Sequence, residues 1–308
     1  MTDTVVFLRH PDESQGYLAA LGAGPLAVAE HRCIPLLRYR YLDEAIDRLS
    51  ESILSLAGKG PGPSAIILTS IHSVTAVKQA LDRLRARLSP EEMTSLLGRV
   101  ARLPIFAVGP ATGAAARRDL QDPLPGGALP PLQVLGEDST TGGQLARVVI
   151  SYVEQLADAP GEWTALFPCS SIRREELATK LARLPVTGSR GQQVVISLTE
   201  VRSYETTFDE QGGQALGQLL HERLASGPGG RLWLVFFSPS GVLFADPIIR
   251  PFASANDPGQ ALQLGSIGST TTRELRERGF RVSSTATSPT PAGVAAALGQ
   301  TFADLGSQ

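Results

Sequence analysis

Short runs rich in apolar residues alternate with amphipathic segments from one end of the chain to the other. The apolar runs have the length and composition of strands and lie at 4–8, 33–37, 65–70, 105–109, 164–168, 194–201, 232–238 and 262–268. Most are separated by segments with the period of a helix, for example 41–57 and 89–102. Short strands alternating with helices predict an α/β fold whose parallel sheets are covered on both faces. Breaks rich in glycine and proline predict loops at 58–64, 122–131, 185–193, 226–230 and 253–260.

A weak internal repeat divides the chain into two similar parts. Each copy begins with a strand that ends in a serine-rich loop, ILTSIHSV around Ser70 and VFFSPSGV around Ser238. A glycine turn follows in each copy, AVGPAT and SIGSTT, with Thr112 and Thr271 three residues after the glycine. Each copy ends in a Ser/Thr-rich turn and a helix, DSTTGGQLARVV and SPTPAGVAAALG. Three elements that recur in the same order predict two similar α/β domains.

Two strand–helix–strand units lie outside this repeat, one at 4–37 and the other at 164–201. One such unit is needed to complete each domain. The residues alone allow either pairing.

The hydroxyl- and glycine-bearing loops follow strands and precede helices. In open parallel sheets, ligands bind beyond the carboxyl ends of the strands. The first turn of a helix offers unpaired N–H groups and the positive end of its dipole to an anion. A hydroxyl at a helix start is most often only an N-cap, but six such sites in two matching sets favour a cleft for a ligand with many carboxylates or phosphates. The phosphate motifs GxxxxGK[ST] and GxGxxG are absent, which disfavours a nucleotide.

Composition narrows the class of protein further. The 308 residues are 42% hydrophobic and 19% charged, with a formal net charge of −2. These values are typical of a globular protein and give no overall field that would attract nucleic acid or a membrane. No apolar run approaches the roughly 20 residues that span a bilayer, and the N-terminus resembles a first strand more than a signal peptide. We expect a cytoplasmic protein and, since no coiled coil is visible, a monomer.

Groups for acid–base or metal chemistry are few. His10, His31, His72 and His221 are scattered, although His72 lies in the Ser70 loop. Cys33 and Cys169 suggest neither a disulfide framework nor a metal cluster, so no metal is expected. Tyr204 follows a strand at a predicted domain crossing, where a lone tyrosine is more often a packing residue than a functional one.

Several of these segments together resemble one known family. FFSPSGV (236–242), IGSTTTREL (267–275), STATSPTPAGVAAAL (284–298) and LFPCSSIRREEL (166–177) look like uroporphyrinogen-III synthases of the eukaryotic type. AVGPAT (107–112) and SYETT (203–207) fit the same pattern, so the resemblance covers nearly the whole chain.

The resemblance implies two HemD/flavodoxin-like α/β domains with parallel sheets, joined by two β-strand linkers, with a cleft between them. Domain 1 would be discontinuous, with residues 1–37 and 205–308, and domain 2 would comprise residues 42–198. The linkers would lie at 38–41 and 199–204. This assignment resolves the pairing that the residues leave open.

The resemblance also implies a reaction without cofactor or metal. The linear tetrapyrrole hydroxymethylbilane would lose its hydroxyl as water and form an electrophilic azafulvene. Ring D would attack through its substituted carbon, and the resulting spiro intermediate would break and reclose with ring D inverted. Without an enzyme the bilane closes to the uninverted isomer, so control of geometry matters more than a strong base.

Family site residues carry over to matching positions of this chain. Tyr204 matches the tyrosine that assists departure of the hydroxyl, as a proton donor or through an ordered water. The substrate-binding positions implied by the resemblance are Arg9, Ser70, Thr112, Arg174, Ser238, Ser240, Gly241, Thr270 and Thr271. The chain departs from the family at His72, where Asn or Arg is more usual.

Two other functions remain open at this point. A non-catalytic protein that clamps a small polycarboxylate between two domains would have a similar sequence, although it would not require Tyr204 or the combination SPSG, IGSTT and SPTP. A nucleotide-dependent transferase would need a phosphate motif, which the sequence lacks.

Overall fold

The computed structural model describes residues 2–24, 26, 29–58, 64–121, 130–156, 160–171, 176–224, 230–253 and 261–306. Contacts divide the chain into two compact units. Unit 1 comprises Met1–Arg38 and Thr207–Gln308, and unit 2 comprises Tyr39–Thr206.

Strands and helices alternate along most of the chain. The strands are β1 (Thr4–Phe7), β2 (Glu30–Cys33), β3 (Leu37–Tyr41), β4 (Ser64–Leu68), β5 (Ile105–Ala107), β6 (Val134–Leu135), β7 (Gly161–Ser170), β8 (Leu184–Thr187), β9 (Gln193–Phe208), β10 (Leu232–Phe236), β11 (Leu262–Ser266) and β12 (Ser284–Thr285). The helices are α1 (Gln15–Gly22), α2 (Asp43–Gly58), α3 (Ile71–Arg85), α4 (Pro90–Val100), α5 (Gly109–Leu120), α6 (Gly142–Leu156), α7 (Glu176–Leu181), α8 (Glu210–Leu224), α9 (Pro239–Ile249), α10 (Ser269–Glu277) and α11 (Pro291–Gly306).

Unit 1 contains a five-stranded parallel sheet in the order β12-β11-β10-β1-β2. Numbered within the unit, this order reads 2-1-3-4-5 from the β2 edge, which is the flavodoxin-like order. The direction in which successive strands are added to the sheet reverses between β1 and β10. Open α/β sheets bind ligands at such a reversal point.

Both faces of the unit 1 sheet are covered, as expected for a parallel sheet. Val6 of β1 belongs to a core with α8, α9 and α10, represented by Leu216, Val242 and Leu275. The neighbouring Phe7 points to the opposite face, where Leu298 of α11 belongs to the same core. Successive residues of one strand thus supply two cores.

Unit 2 repeats this arrangement with its strands in a permuted chain order. Its parallel sheet runs β9-β7-β4-β5-β6, with β3 also paired to β9 and the short β8 antiparallel to β9. If β7 and β9 are counted first, the order is again 2-1-3-4-5. Helices α2 to α5 cover one face, and α6 and α7 cover the other. The parallel α/β fold predicted from the sequence is therefore confirmed, and the permutation explains why the repeat skips 164–201.

The predicted strand at 33–37 is wrong for most of its length. Strand β2 ends at Cys33, and β3 begins only at Leu37. Pro35 between them has no N–H for a sheet ladder. The main chain bonds elsewhere, since the carbonyl of Leu36 accepts the N–H of Asp209 at 3.0 Å.

The loop predicted at 185–193 is also wrong in part, because its first residues belong to β8 and form an antiparallel hairpin with the start of β9. Gly191 has φ +81° in the connecting turn, a conformation that favours glycine. The other four predicted breaks lie almost entirely outside the described residues. The predicted linkers 38–41 and 199–204 lie within β3 and β9.

A bulge interrupts the pairing of β7 with β9. Cys169 is opposite Arg202, but the next residue, Ser170, is opposite Tyr204, so Ser203 is an extra residue. Ser203 and Tyr204 are both buried although they are adjacent in a strand. The bulge therefore changes which face of the sheet the following side chains occupy.

Candidate functional site

A cavity of about 310 Å³ lies within unit 2 at the carboxyl end of its sheet. Its walls come from the segments after β4, β5 and β6, from the ends of β7 and β9, and from β3 and α7. It lies where the strand order reverses between β7 and β4, the position at which open α/β sheets bind ligands.

Ser70 and Tyr204 meet in this cavity. Ser70 is the N-cap of α3, and its Oγ accepts the N–H of Ser73 at 3.3 Å, while the Ser73 hydroxyl accepts the N–H of Ser70 at 3.2 Å. The same Ser70 Oγ lies 2.8 Å from the phenolic oxygen of Tyr204. Ser70 therefore combines the N-cap role with a contact to the proposed catalytic tyrosine.

The Tyr204 side chain is almost completely buried, with a relative exposure of 4%. Desolvation raises the pKa of Tyr204 to about 12, and the hydrogen bond with Ser70 only partly opposes this increase. The hydroxyl therefore stays protonated over the physiological range and can act as a permanent hydrogen-bond donor.

An aromatic group forms one wall of the cavity. The His72 ring stacks on Tyr39 with centroids 3.4 Å apart and an angle of 24° between the planes. His72 Nδ1 lies 3.2 Å from the hydroxyl of Tyr41, and its ring centroid lies 5.8 Å from that of Tyr204. Tyr39 and Tyr41 were not predicted as site residues. Their alternation in LRYRY was the available signal, since residues two apart in a strand share one face.

Hydroxyl groups supply much of the remaining lining. Thr140 and Thr141 precede α6, and Ser170 and Thr206 face each other from β7 and β9 with their hydroxyl oxygens 3.4 Å apart. The carboxylate of Glu176 on α7 also lines the cavity and pairs with Lys180 Nζ at 3.1 Å. The lining thus combines neutral hydroxyl groups, which can donate or accept hydrogen bonds, with one carboxylate and several apolar side chains.

Thr112 is not part of this cavity lining. It lies in the first turn of α5 and is buried, with 5% of its surface exposed. The helix begins at Gly109, whose φ of +79° explains the glycine in the turn. The structure therefore brings Ser70 and Tyr204 together in the cavity but places Thr112 outside the cavity lining, in the first turn of a different helix.

In unit 1, Ser238 repeats the local geometry of Ser70. Its φ and ψ are −158° and 156°, against −160° and 165° for Ser70, and each residue is an N-cap. The Ser238 Oγ accepts the N–H of Gly241 at 3.1 Å, and Ser240 lies between them in the first turn of α9. The serine loops that the sequence repeat identified are therefore equivalent elements of two sheets.

Thr270 and Thr271 lie in the first turn of α10, and Thr271 is buried. A chain of hydroxyl groups supports the preceding glycine turn. Ser266 Oγ lies 3.4 Å from the carbonyl oxygen of Gly268 and 2.5 Å from Thr272 Oγ1, which in turn lies 2.7 Å from Thr285 Oγ1.

Arg9 follows β1 next to the Ser238 segment. Its guanidinium carbon lies 5.2 Å from the ring centroid of Phe237 and 5.6 Å from that of Tyr17, and its Nε is 2.7 Å from a carboxylate oxygen of Glu13. The aromatic rings and Glu13 thus hold the cation at the reversal point of the unit 1 sheet. Arg174 lies outside the described residues.

Within the described ranges, no group of three or more His, Cys, Asp or Glu side chains could hold a metal ion. No described helix combines the length and apolar character needed to cross a bilayer.

Two parallel α/β units with hydroxyl-capped helices at their strand ends define a protein of the doubly wound, ligand-binding class. A family model described as uroporphyrinogen-III synthase HemD matches residues 12–296. The chain therefore belongs to the uroporphyrinogen-III synthase family, and the resemblance identified from its motifs is confirmed.

Individual relatives agree with this assignment. Uroporphyrinogen-III synthase of Saccharomyces cerevisiae is 28% identical over 231 residues, which cover 73% of this chain and 71% of that protein. The crystal structure of a mutant uroporphyrinogen III synthase from the extremely thermophilic bacterium Thermus thermophilus has a TM-score of 0.56 and 16% identity, with 98% of this chain and 100% of that chain covered. At this identity, the likeness to the bacterial structure supports the fold alone.

Proposed function

We propose that this chain is a uroporphyrinogen-III synthase, which cyclises hydroxymethylbilane with inversion of ring D and loss of water. The observation that carries the proposal is the family match over residues 12–296. The unit 2 cavity supports it, because the matched tyrosine, Tyr204, lines a space rich in hydrogen-bond donors.

Tyr204 is proposed to contact the departing hydroxyl directly or through a water molecule. Its high pKa keeps the phenol neutral, so it can donate a hydrogen bond to the leaving oxygen throughout the reaction. Placing such a fixed donor in a buried site stabilises developing charge more than the same group would in water.

The helix starts of both units are proposed to bind the acetate and propionate groups of the substrate. Ser70 and Thr112 belong to unit 2, and the unit 1 positions are Ser238, Ser240, Gly241, Thr270 and Thr271. Backbone N–H groups and the helix dipole favour carboxylates at such positions. Arg9 would add a positive charge, and Arg174 is proposed for the same purpose from its sequence position.

Many rigid contacts with a polycarboxylate would hold the bilane in the conformation that leads to inversion. Holding reacting groups in place supplies a large part of the rate enhancement when the uncatalysed reaction is already feasible. A monomeric, cytoplasmic enzyme is part of the same proposal, and light scattering on the purified protein tests its oligomeric state.

Incubation with enzymatically prepared hydroxymethylbilane tests the function. After oxidation of the products, chromatography should show predominantly the type III isomer, formed faster than the spontaneous type I isomer. Type I product alone, at the rate seen without protein, would reject the synthase. If the protein then still bound uroporphyrinogen tightly, the non-catalytic binding protein would be the better conclusion.

A further inference from the structure

His72 occupies an unusual position for a residue outside the proposed machinery. It lies in the first turn of α3, lines the unit 2 cavity and is half-buried. Stacking on Tyr39 and the 3.2 Å contact of its Nδ1 with the Tyr41 hydroxyl fix the plane and rotation of its ring. A ring held on one face and one edge in this way is oriented toward a defined point of the cavity.

The proposed reaction needs a proton that Tyr204 is poorly suited to give. A hydroxyl group leaves a carbon readily as water and only with difficulty as hydroxide. Burial makes Tyr204 a weaker acid than an exposed phenol, with a pKa of about 12. Transfer of its proton would create a buried phenolate, which is costly without a positive partner.

Histidine is the side chain that exchanges a proton most readily near neutral pH. Its ring in this cavity is 5.8 Å from that of Tyr204, so one leaving oxygen can contact both groups. Stacking on the Tyr39 ring favours the imidazolium form, whereas the positive end of α3 favours release of the proton.

We propose that His72 is the general acid that protonates the departing hydroxyl of hydroxymethylbilane, while the Tyr204 hydroxyl orients the leaving oxygen. This inference rests on the proposed function. As the carbon–oxygen bond breaks, its electron pair stays with oxygen, which takes the proton of His72 and leaves as water. The pyrrole nitrogen supplies the electrons that form the azafulvenium. Ring closure later releases one proton as aromaticity is restored, and His72 takes it up.

Other titratable groups near His72 belong to four elements. Tyr39 and Tyr41 lie on β3 and Tyr204 on β9. Glu176 lines the cavity from α7, and Cys169 of β7 lies close enough to affect Tyr204. Glu176 already has a partner in Lys180, and burial raises the pKa of Tyr204 to about 12, so its phenol is neutral near pH 7.

The test compares His72→Gln, His72→Phe and the control His221→Asn with the wild type. His221 lies on the exposed side of α8 next to Phe252, in unit 1. Wild-type formation of the type III isomer establishes the function itself. The inference then predicts that kcat at neutral pH falls by about 100-fold or more in both His72 variants, with little change in KM, while His221→Asn keeps the wild-type rate.

The pH profile separates acid catalysis from a structural role. Wild-type kcat should fall as the pH rises through the titration of one group, because the acid form is lost. His72→Gln should lack this decrease in kcat at alkaline pH. Tyr41→Phe should shift the pH at which it occurs, because the hydrogen-bond partner of His72 Nδ1 is removed.

Two results would overturn the inference for an enzyme that makes the type III isomer. One is a kcat equal to that of the wild type in a His72 variant that is folded, as judged by cooperative unfolding. The other is a decrease of kcat at alkaline pH that is missing from the wild type or still present in His72→Gln. If neither His72 variant folds, the pH profile of Tyr41→Phe decides the question. A decrease of kcat at the same pH as in the wild type would then reject His72 as the general acid.

Discussion

The phenolic oxygen of Tyr204 lies 2.8 Å from Oγ of Ser70, although the two residues are 134 positions apart in the chain. Tyr204 comes from β9, and Ser70 lies between β4 and α3, so this contact connects two parts of the sheet that are separated by β7. It also links helix capping to the proposed catalytic group, and this link can be tested.

Ser70→Ala should destabilise the protein more than Ser238→Ala. Both changes remove an N-cap, which costs about 1 kcal/mol, but Ser70→Ala also removes the partner of a buried phenol, for a further cost of about 1–3 kcal/mol. Urea unfolding of the two variants measures the difference. Equal losses would mean that the Tyr204 contact adds nothing to stability.

Tyr204→Phe should change how stability depends on alkaline pH. The phenol has an ordinary pKa of 10.0 and a folded-state pKa of about 12, so its neutral form is favoured by folding. The contribution of the neutral phenol to the free energy of unfolding is complete below pH 10 and is lost as the pH rises through 12.

Over that interval the wild type should lose up to about 3 kcal/mol of unfolding free energy that Tyr204→Phe does not lose. Denaturant titrations at several pH values provide the measurement, and the difference between the two proteins removes the contribution of other tyrosines. Parallel curves would show that the phenol titrates normally.

Asp209 should stabilise unit 1 more when it is ionised than when it is protonated. Its carboxylate accepts the N–H of Gly212 at 3.1 Å and pairs with Arg38 at 3.2 Å, and the first of these contacts is the main reason that the pKa of Asp209 is lowered from 3.8. The extra stability from the charge is therefore present above the unfolded-state pKa and is lost as the pH falls through the folded-state pKa.

At neutral pH, Asp209→Ala should cost about 1 kcal/mol, whereas Asp209→Asn should retain only the part that a neutral capping oxygen supplies. The deficit of Asp209→Ala should shrink as the pH falls below about 4. A deficit that stays constant down to acid pH would rule out the ionised carboxylate as its source.

Gly212→Ala should destabilise unit 1 strongly. A Cβ at this position would lie 1.7 Å from the carbonyl oxygen of Pro35, which belongs to the backbone and cannot turn aside like a side chain. Relief of the overlap requires movement of a helix against the segment between β2 and β3, and overpacking of this kind typically costs about 1–3 kcal/mol or more.

Gly217→Ala, in the same helix, is the matched control. Its nearest neighbour would be Ile248 Cγ2 at 3.9 Å, an ordinary contact, so the higher helix propensity of alanine should stabilise the protein by up to about 1 kcal/mol. Thermal melts should therefore shift in opposite directions for the two variants. A higher melting temperature for both variants would show that helix propensity, rather than the approach to Pro35, decides the outcome at Gly212.

Periodicity predicted most of the fold because strands such as β1, β4 and β10 are buried on both faces and consist almost entirely of apolar residues. It did not predict β8, whose pairing with β9 depends on a turn at Gly191 and not on hydrophobic pattern. It also placed a strand across Pro35, where the backbone bonds with Asp209, a residue far away in the sequence.

The candidate site was predictable where motif and cap coincide, as at Ser70 and Ser238. The aromatic wall was not, because the contact between His72 and Tyr39 depends on how β3 aligns with the start of α3. Local sequence carries no information on that alignment. Thr112 shows the opposite case, since its motif matches the family although it lies outside the lining of the unit 2 cavity.

Because Ser203 is an extra residue in the pairing of β7 with β9, the number of residues that precede Tyr204 in β9 determines which face of the sheet the phenol occupies. Deleting one residue between Val201 and Tyr204 would turn the phenol to the other side of the sheet, even if every remaining amino acid were kept. Exchanging Ser203 for another small residue would leave the phenol in place. Evolution at this point should consequently accept changes of residue type far more readily than changes of spacing.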